Sequence, residues 1–178
     1  GRYAKNMNPD DKFFFKYGWD IKLLVVRTIE AASFCGLRFD RDDKIVVCDI
    51  IDAIAKFGLT NGRYAKATDR IRKQLTRAKA LSLCCQFNQV PILGALARRA
   101  LKETAGINIR KSVINSYDSY KRQELLDHIN RKPWEEEYHP PQRTRELVQT
   151  LYNITPEMQV QFERDCEAFK PEEGFRLG

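Results

Sequence analysis

Apolar positions recur every three to four residues along most of this chain, and the breaks in that rhythm fall at Gly, Pro and Asn. After Asp20, the series Ile21, Leu24, Val25, Thr28, Ala32 and Cys35 keeps the helical period, and Gly36 stands where a glycine ends a helix. The spacing predicts a helix there. "LRFDRDDKIVVC" then sets two short β-prone runs around a polar loop, which predicts a hairpin of residues 37–39 with 45–48. Asp49 is placed to cap the short helix "IIDAIAKF", with Gly58 at its end.

Beyond the Thr60-Asn61-Gly62 turn, a long helix is predicted over 68–85, with Ile71, Leu75, Ala78, Leu81 and Cys85 inward and Arg70, Arg72, Lys73, Arg77 and Lys79 over the remaining surface. Pro91 opens "ILGALARRALKET", which Gly106 stops. A helix over 118–130 precedes the irregular connector "RKPWEEEYHPPQR". Two more follow, "RTRELVQTLYN" and "TPEMQVQFERDCEAF", the second with a Thr-Pro-Glu start. The expected fold is therefore mainly α (α+β), a helical bundle with one short β-hairpin. Its expected organisation is 1–48 as an edge of helix plus hairpin, 49–131 as a basic helical domain, and 132–178 as a helical extension. GRYAK occurs at Gly1 and again at Gly62, but the residues after each copy do not correspond, so no repeat is assigned.

Charge sharpens this picture. The 178 residues carry a net charge of +7, yet between Arg63 and Lys111 twelve Lys and Arg face only Asp69 and Glu103, while from Pro133 onward ten acidic residues outnumber five basic ones. A row of cations repels itself unless a polyanion shares the site, and each phosphate contact releases counterions. The middle of the chain therefore points to nucleic acid, against the alternative of a solvated helix face. The 43% hydrophobic and 31% charged composition excludes a disordered or fibrous chain, and no apolar run reaches bilayer length. The five cysteines (35, 48, 84, 85 and 166) show no CxxC spacing and read as buried free thiols of a reducing compartment; His128 and His139 fall on different elements, so no metal site is predicted.

Asp10 and Asp11, with Asp40, Asp42 and Asp43 in the hairpin loop, are the carboxylates that could bring Mg²⁺ to a phosphoryl group. Such a site needs a further carboxylate from a separate element, so loop and turn roles are the plainer reading. Tyr3, Phe13, Phe14, Phe15, Tyr17 and Trp19 cluster early, and Trp134 and Tyr138 lie in the connector; core or packing-edge roles are expected for the Phe run, against base stacking. No complete nucleophile triad or phosphate loop is present.

In this order the pieces resemble the back end of a viral RNA-dependent RNA polymerase of the nodavirus type. "AASFCGLRF" resembles a palm helix leading into a strand, and "VCDIIDAIAKFGLTN" the strand and Asp-led helix that open the thumb. "DRIRKQLTRAKALSLCCQFNQVPILGALARRAL" is similar to the thumb pair; "RKPWEEEYHPP" and "LVQTLYNITPEMQVQFERDCEAF" resemble the connector and Thr-led last helix. The thumb and tail likeness runs over about 47–169. Where that family has a catalytic Gly-Asp-Asp turn, this chain has Pro9-Asp10-Asp11, and proline removes the backbone donor and the φ freedom of a glycine turn. No counterpart of the partner aspartate or of the fingers is present.

The resemblance implies a thumb-like region with an edge of palm, part of a nucleotidyltransferase but not catalytic as this chain alone. It has no cofactor of its own, and Mg²⁺ belongs to the complete polymerase. Its partner would be the template–product RNA duplex, held through phosphate and ribose by Arg63, Lys66, Arg70, Lys73 and Arg77, with Arg98, Arg99 and Lys102 second. The acidic tail would face away from RNA and contact another protomer, with the remainder of the polymerase a further partner, in host cytoplasm at membrane-associated replication sites. The rival readings are a stand-alone helical nucleic-acid-binding or replication-accessory protein, and a protein-interaction scaffold. An enzyme acting through Asp10, Asp11 and the hairpin aspartates is the most distant.

Overall fold

A computed structural model describes residues 11–21, 26–29, 31–42, 44–60 and 62–168. Within them lie helices α1 (Asp11–Phe15), α2 (Ile50–Phe57), α3 (Asp69–Phe87), α4 (Leu93–Glu103), α5 (Lys111–Ile114), α6 (Ser119–Arg131), α7 (Gln142–Tyr152) and α8 (Pro156–Ala168), and strands β1 (Arg38–Phe39) and β2 (Val46–Val47). The strands pair antiparallel, Arg38 with Val47 and Phe39 with Val46. The fold is mainly α with one short hairpin, as the patterning predicts.

Local signals place several boundaries. The Asp49 carboxylate accepts the Asp52 N–H at 3.0 Å and caps α2; Asp118 does the same for α6 through Lys121 N–H at 2.9 Å. Gly106 takes φ +75° just beyond α4, a conformation that costs glycine nothing.

The centre is the α3/α4 hairpin, its helices running antiparallel from a tight turn at 88–92. Ala78, Leu81, Cys84, Ala97, Ala100 and Leu101 form its seam, joined by Leu125 from α6. Alanines at this seam let the two backbones approach closely, and burying Leu81 alone is worth about 2 kcal/mol. A second core joins Val47 and Ile50 to Phe87, Val90, Ile92 and Leu93 of the turn and to Leu147 and Val148 of α7. Residues from all three expected segments thus share one core, and Tyr152 ties α7 to the hairpin by donating to Cys48 O at 2.9 Å.

The segment after Asp20 differs from expectation. Residues 22–25 and 30 lie outside the described set, but Arg27–Ile29 form a bend and turn, and Phe34 bridges to Leu37. Val26, Thr28 and Ile29 are β-branched and stiff in a helix, and among the described residues Ile29 and Phe34 stand exposed, Phe34 at 69%. The Phe run divides, Phe13 and Phe14 half-buried at a packing edge and Phe15 exposed. Phe13 stacks edge-on with Phe14 and Tyr17, whereas Phe15, Tyr17 and Trp19 stand exposed, not buried in the core.

Candidate nucleic-acid interface

The basic residues separate into two groups once α3 and α4 are packed. Arg77 lies four residues before Leu81 and three after Gln74, on the buried stripe of α3. Its Nη1 donates to Leu101 O at 3.2 Å and to Thr104 O at 3.0 Å, closing the free carbonyls at the end of α4, while its guanidinium lies over the Trp134 ring. Burial lowers its pKa, as it does for Lys79, whose ammonium caps α2 through Lys56 O, Phe57 O and Leu59 O.

Arg98 is also internal. It donates to Trp134 O at 2.9 Å and to Asn88 Oδ1 at 2.6 Å, pinning the connector to the hairpin turn. Arg99 pairs with Glu103 at 2.6 Å and reaches Glu167 O of α8 at 3.4 Å, away from α3. Arg77 and Lys79 therefore do not share the exposed cover of α3, and Arg98 and Arg99 are held inside the bundle or against α8.

The second group is exposed. Arg63, Lys66, Arg70 and Lys73 lie on the approach to α3 and along its first turns, and Lys102, Arg110 and Lys111 lie at and beyond the end of α4. Three bonds show that these stretches run side by side: Arg77 to Thr104 O, Arg110 N–H to Gln74 Oε1 at 2.9 Å, and Arg63 to Ser116 O at 3.4 Å. The acids nearby are engaged, Asp69 with Lys73 at 3.1 Å and Glu103 with Arg99. The result is a positive end of the α3/α4 hairpin. The sequence reading did not place Arg110 and Lys111 at this interface; the run of charge up to Lys111 was the signal, but only the packing of α5 against α3 brings them to the same end.

Asp10 lies outside the described residues, as does Asp43, and Asp11 starts α1. In the hairpin loop, Asp40 is buried and accepts Asp42 N–H at 3.0 Å, and Asp42 pairs with Arg143. Among the described residues no three His, Cys, Asp or Glu side chains are grouped to hold a metal ion, and no helix is long and apolar enough to cross a membrane.

The opposite end of the hairpin is closed by charge held out of water. Glu163 of α8 takes both Arg145 Nη atoms at 3.0 and 2.9 Å, the Tyr138 hydroxyl at 2.8 Å and the Ile92 N–H at 3.2 Å. Ile92 has φ +71° and ψ −56°, the centre of a γ-turn closed by Leu93 N–H to Pro91 O at 2.8 Å. A β-branched residue in that region is strained by about 1 to 3 kcal/mol and persists only where its surroundings over-determine it. Burial and the neighbouring carboxylate push the Tyr138 phenol pKa well up, so it remains a donor to Glu163. No protein-family model matches the chain, and no curated protein or solved structure matches it.

Proposed function

We propose that this chain is an RNA-binding, thumb-like portion of a viral RNA-dependent RNA polymerase, and that the positive end of the α3/α4 hairpin holds the template–product duplex by its phosphates. The convergence of exposed cations from both sides of the hairpin carries this reading, because side by side they repel one another until a polyanion arrives. The interface consists of Arg63, Lys66, Arg70, Lys73, Lys102, Arg110 and Lys111. Arg77, Arg98 and Arg99 support the scaffold beneath it. The exposed aromatics Phe15, Tyr17 and Trp19 fit a surface covered by the remainder of a larger assembly, where the palm and its Mg²⁺ would reside. A stand-alone nucleic-acid-binding protein would use the same cations, but it would need no such cover.

The test is the salt dependence of duplex RNA binding. Lys66→Ala/Arg70→Ala/Lys73→Ala should flatten the slope of log K against log salt by roughly 2 to 3, about one for each phosphate no longer neutralised. An unchanged slope, or no duplex binding by the wild type, would turn this end into a solvated or protein-binding face.

A further inference from the structure

We infer that the groove between α3 and α6 takes the base and phosphate of one unpaired nucleotide, a site beside the duplex-holding end; the inference rests on the RNA-binding reading. Two adjoining cavities of about 330 and 250 Å³ share Lys79, Tyr117 and Lys121. Together they have the size and mixed lining of a small-ligand site.

The two halves differ in chemistry. The outer half is lined by Arg63, Lys79 and Lys121 and by the start of α6, with Asp118 the single carboxylate among its lining residues. That carboxylate is committed to capping α6 and stands 4.0 Å from Lys121 Nζ, a loose pairing that an incoming phosphate can replace. Lys79 is fixed on the α2 carbonyls and contributes its field, whereas Lys121 extends from an exposed position. Tyr64, whose phenol pKa is lowered by the Ser116 hydroxyl and Arg63, completes this end.

The inner half offers hydrogen bonds above the apolar residues Ala78 and Leu125. Gln86 donates to Glu124 at 2.8 Å, and Ser82 lies one turn away. His128 lines this half at 8% exposed, and its Nδ1 has no hydrogen-bond partner among the described residues. A buried polar atom without a partner is uncommon and costs stability. That nitrogen is itself sealed from the groove, so a ligand meets the ring at Nε2; desolvation keeps the ring neutral, and Nε2 donates or accepts with the tautomer, which a ligand edge that both donates and accepts serves either way. A nucleobase edge has that property. Tyr117 lines both halves and is only half-buried against the core, which sets an aromatic side chain beside a ligand spanning them, and base–aromatic stacking is tolerant of which base is present. Phosphate at Arg63 and Lys121, ring at Tyr117 and base edge at His128 match one nucleotide lying along the groove.

Calorimetric titration of the full chain at low salt with AMP, adenosine and inorganic phosphate tests this. AMP should saturate one site about ten-fold more tightly than either fragment, and should shift the His128 ring resonances in NMR. Lys121→Ala, at an exposed helical position, should reduce AMP to the adenosine level; Tyr117→Leu should weaken it about ten-fold while Tyr117→Phe retains it. Equal affinity for AMP and phosphate, or an unchanged Lys121→Ala titration, would overturn the groove as a nucleotide site. Neither substitution touches Lys66, Arg70 or Lys73, so loss of duplex binding with AMP binding intact removes the duplex reading alone, and the converse removes only the groove.

Discussion

At the turn joining α3 to α4, Glu163, Arg145, Arg98 and Asn88 bind one another or nearby backbone away from water; at the other end of the same two helices, Lys66, Arg70 and Lys102 stand in solvent. Both ends are rich in charge, and the difference is whether the charges are held out of water by their partners or stand in solvent. At the turn, desolvation is offset by bidentate geometry and by donors that fill the remaining lone pairs, which fixes a backbone conformation isoleucine would otherwise avoid. At the open end the charges have little to hold in place. That end can exchange water for an external anion without unfolding anything, a division between scaffold and surface that runs along one pair of helices.

The comparison is broken most severely at Glu163. Glu163→Ala leaves the Arg145 guanidinium buried and the Tyr138 hydroxyl and Ile92 N–H without their acceptor, and should cost about 3 to 5 kcal/mol in urea unfolding. The pair replaced together, Glu163→Leu with Arg145→Met, should recover much of that loss. Should the single variant unfold like the wild type, the turn would not be held by charge.

Gly94 comes next. A Cβ there would fall within contact distance of Asn88 O and 2.6 Å from Tyr138 Cε2, and backbone cannot move aside as a flexible side chain can. Gly94→Ala should therefore destabilise by about 1 to 3 kcal/mol despite alanine's better helix propensity, read as a lower denaturant midpoint. A stabilised variant would mean that the turn yields.

The smallest effect sharpens the contrast within α3 itself. Arg77→Ala removes the donor to the last carbonyls of α4 and should cost about 1 to 2 kcal/mol, whereas Arg70→Ala, two turns earlier and exposed, should stay within about 0.5 kcal/mol. In duplex RNA binding the order should invert: Arg70→Ala changes the salt slope and Arg77→Ala leaves it. Equal stabilities would erase the distinction between strut and surface.

Where a signal is local, the sequence carried it. Asp49, Asp118 and Gly106 mark helix ends through groups within three residues of themselves, and the hairpin follows from two short β-prone runs around a polar loop. The positive φ of Ile92 could not be read, because it depends on Glu163, 71 residues away. The inward turn of Arg77 and Arg98 was half legible: Arg77 stands four residues before Leu81, and Arg98 three before Leu101, both at buried spacing. Charge counted along the chain assigns such residues to the surface, while counting by helical period assigns them to the seam. The described part of the stretch after Asp20 shows the reverse, since residues 26–29 and 31–36 keep part of a helical period without forming a helix.

Cys84 gives the hairpin its own clock. It is fully buried at the seam with its thiol pKa pushed up to about 11 by burial, so almost no thiolate exists in the folded chain at neutral pH. Its alkylation must wait for α3 and α4 to part, while exposed Cys35 reacts from the native state. The ratio of the two labelling rates in one sample therefore reports how often the scaffold breathes, without a probe being added to it.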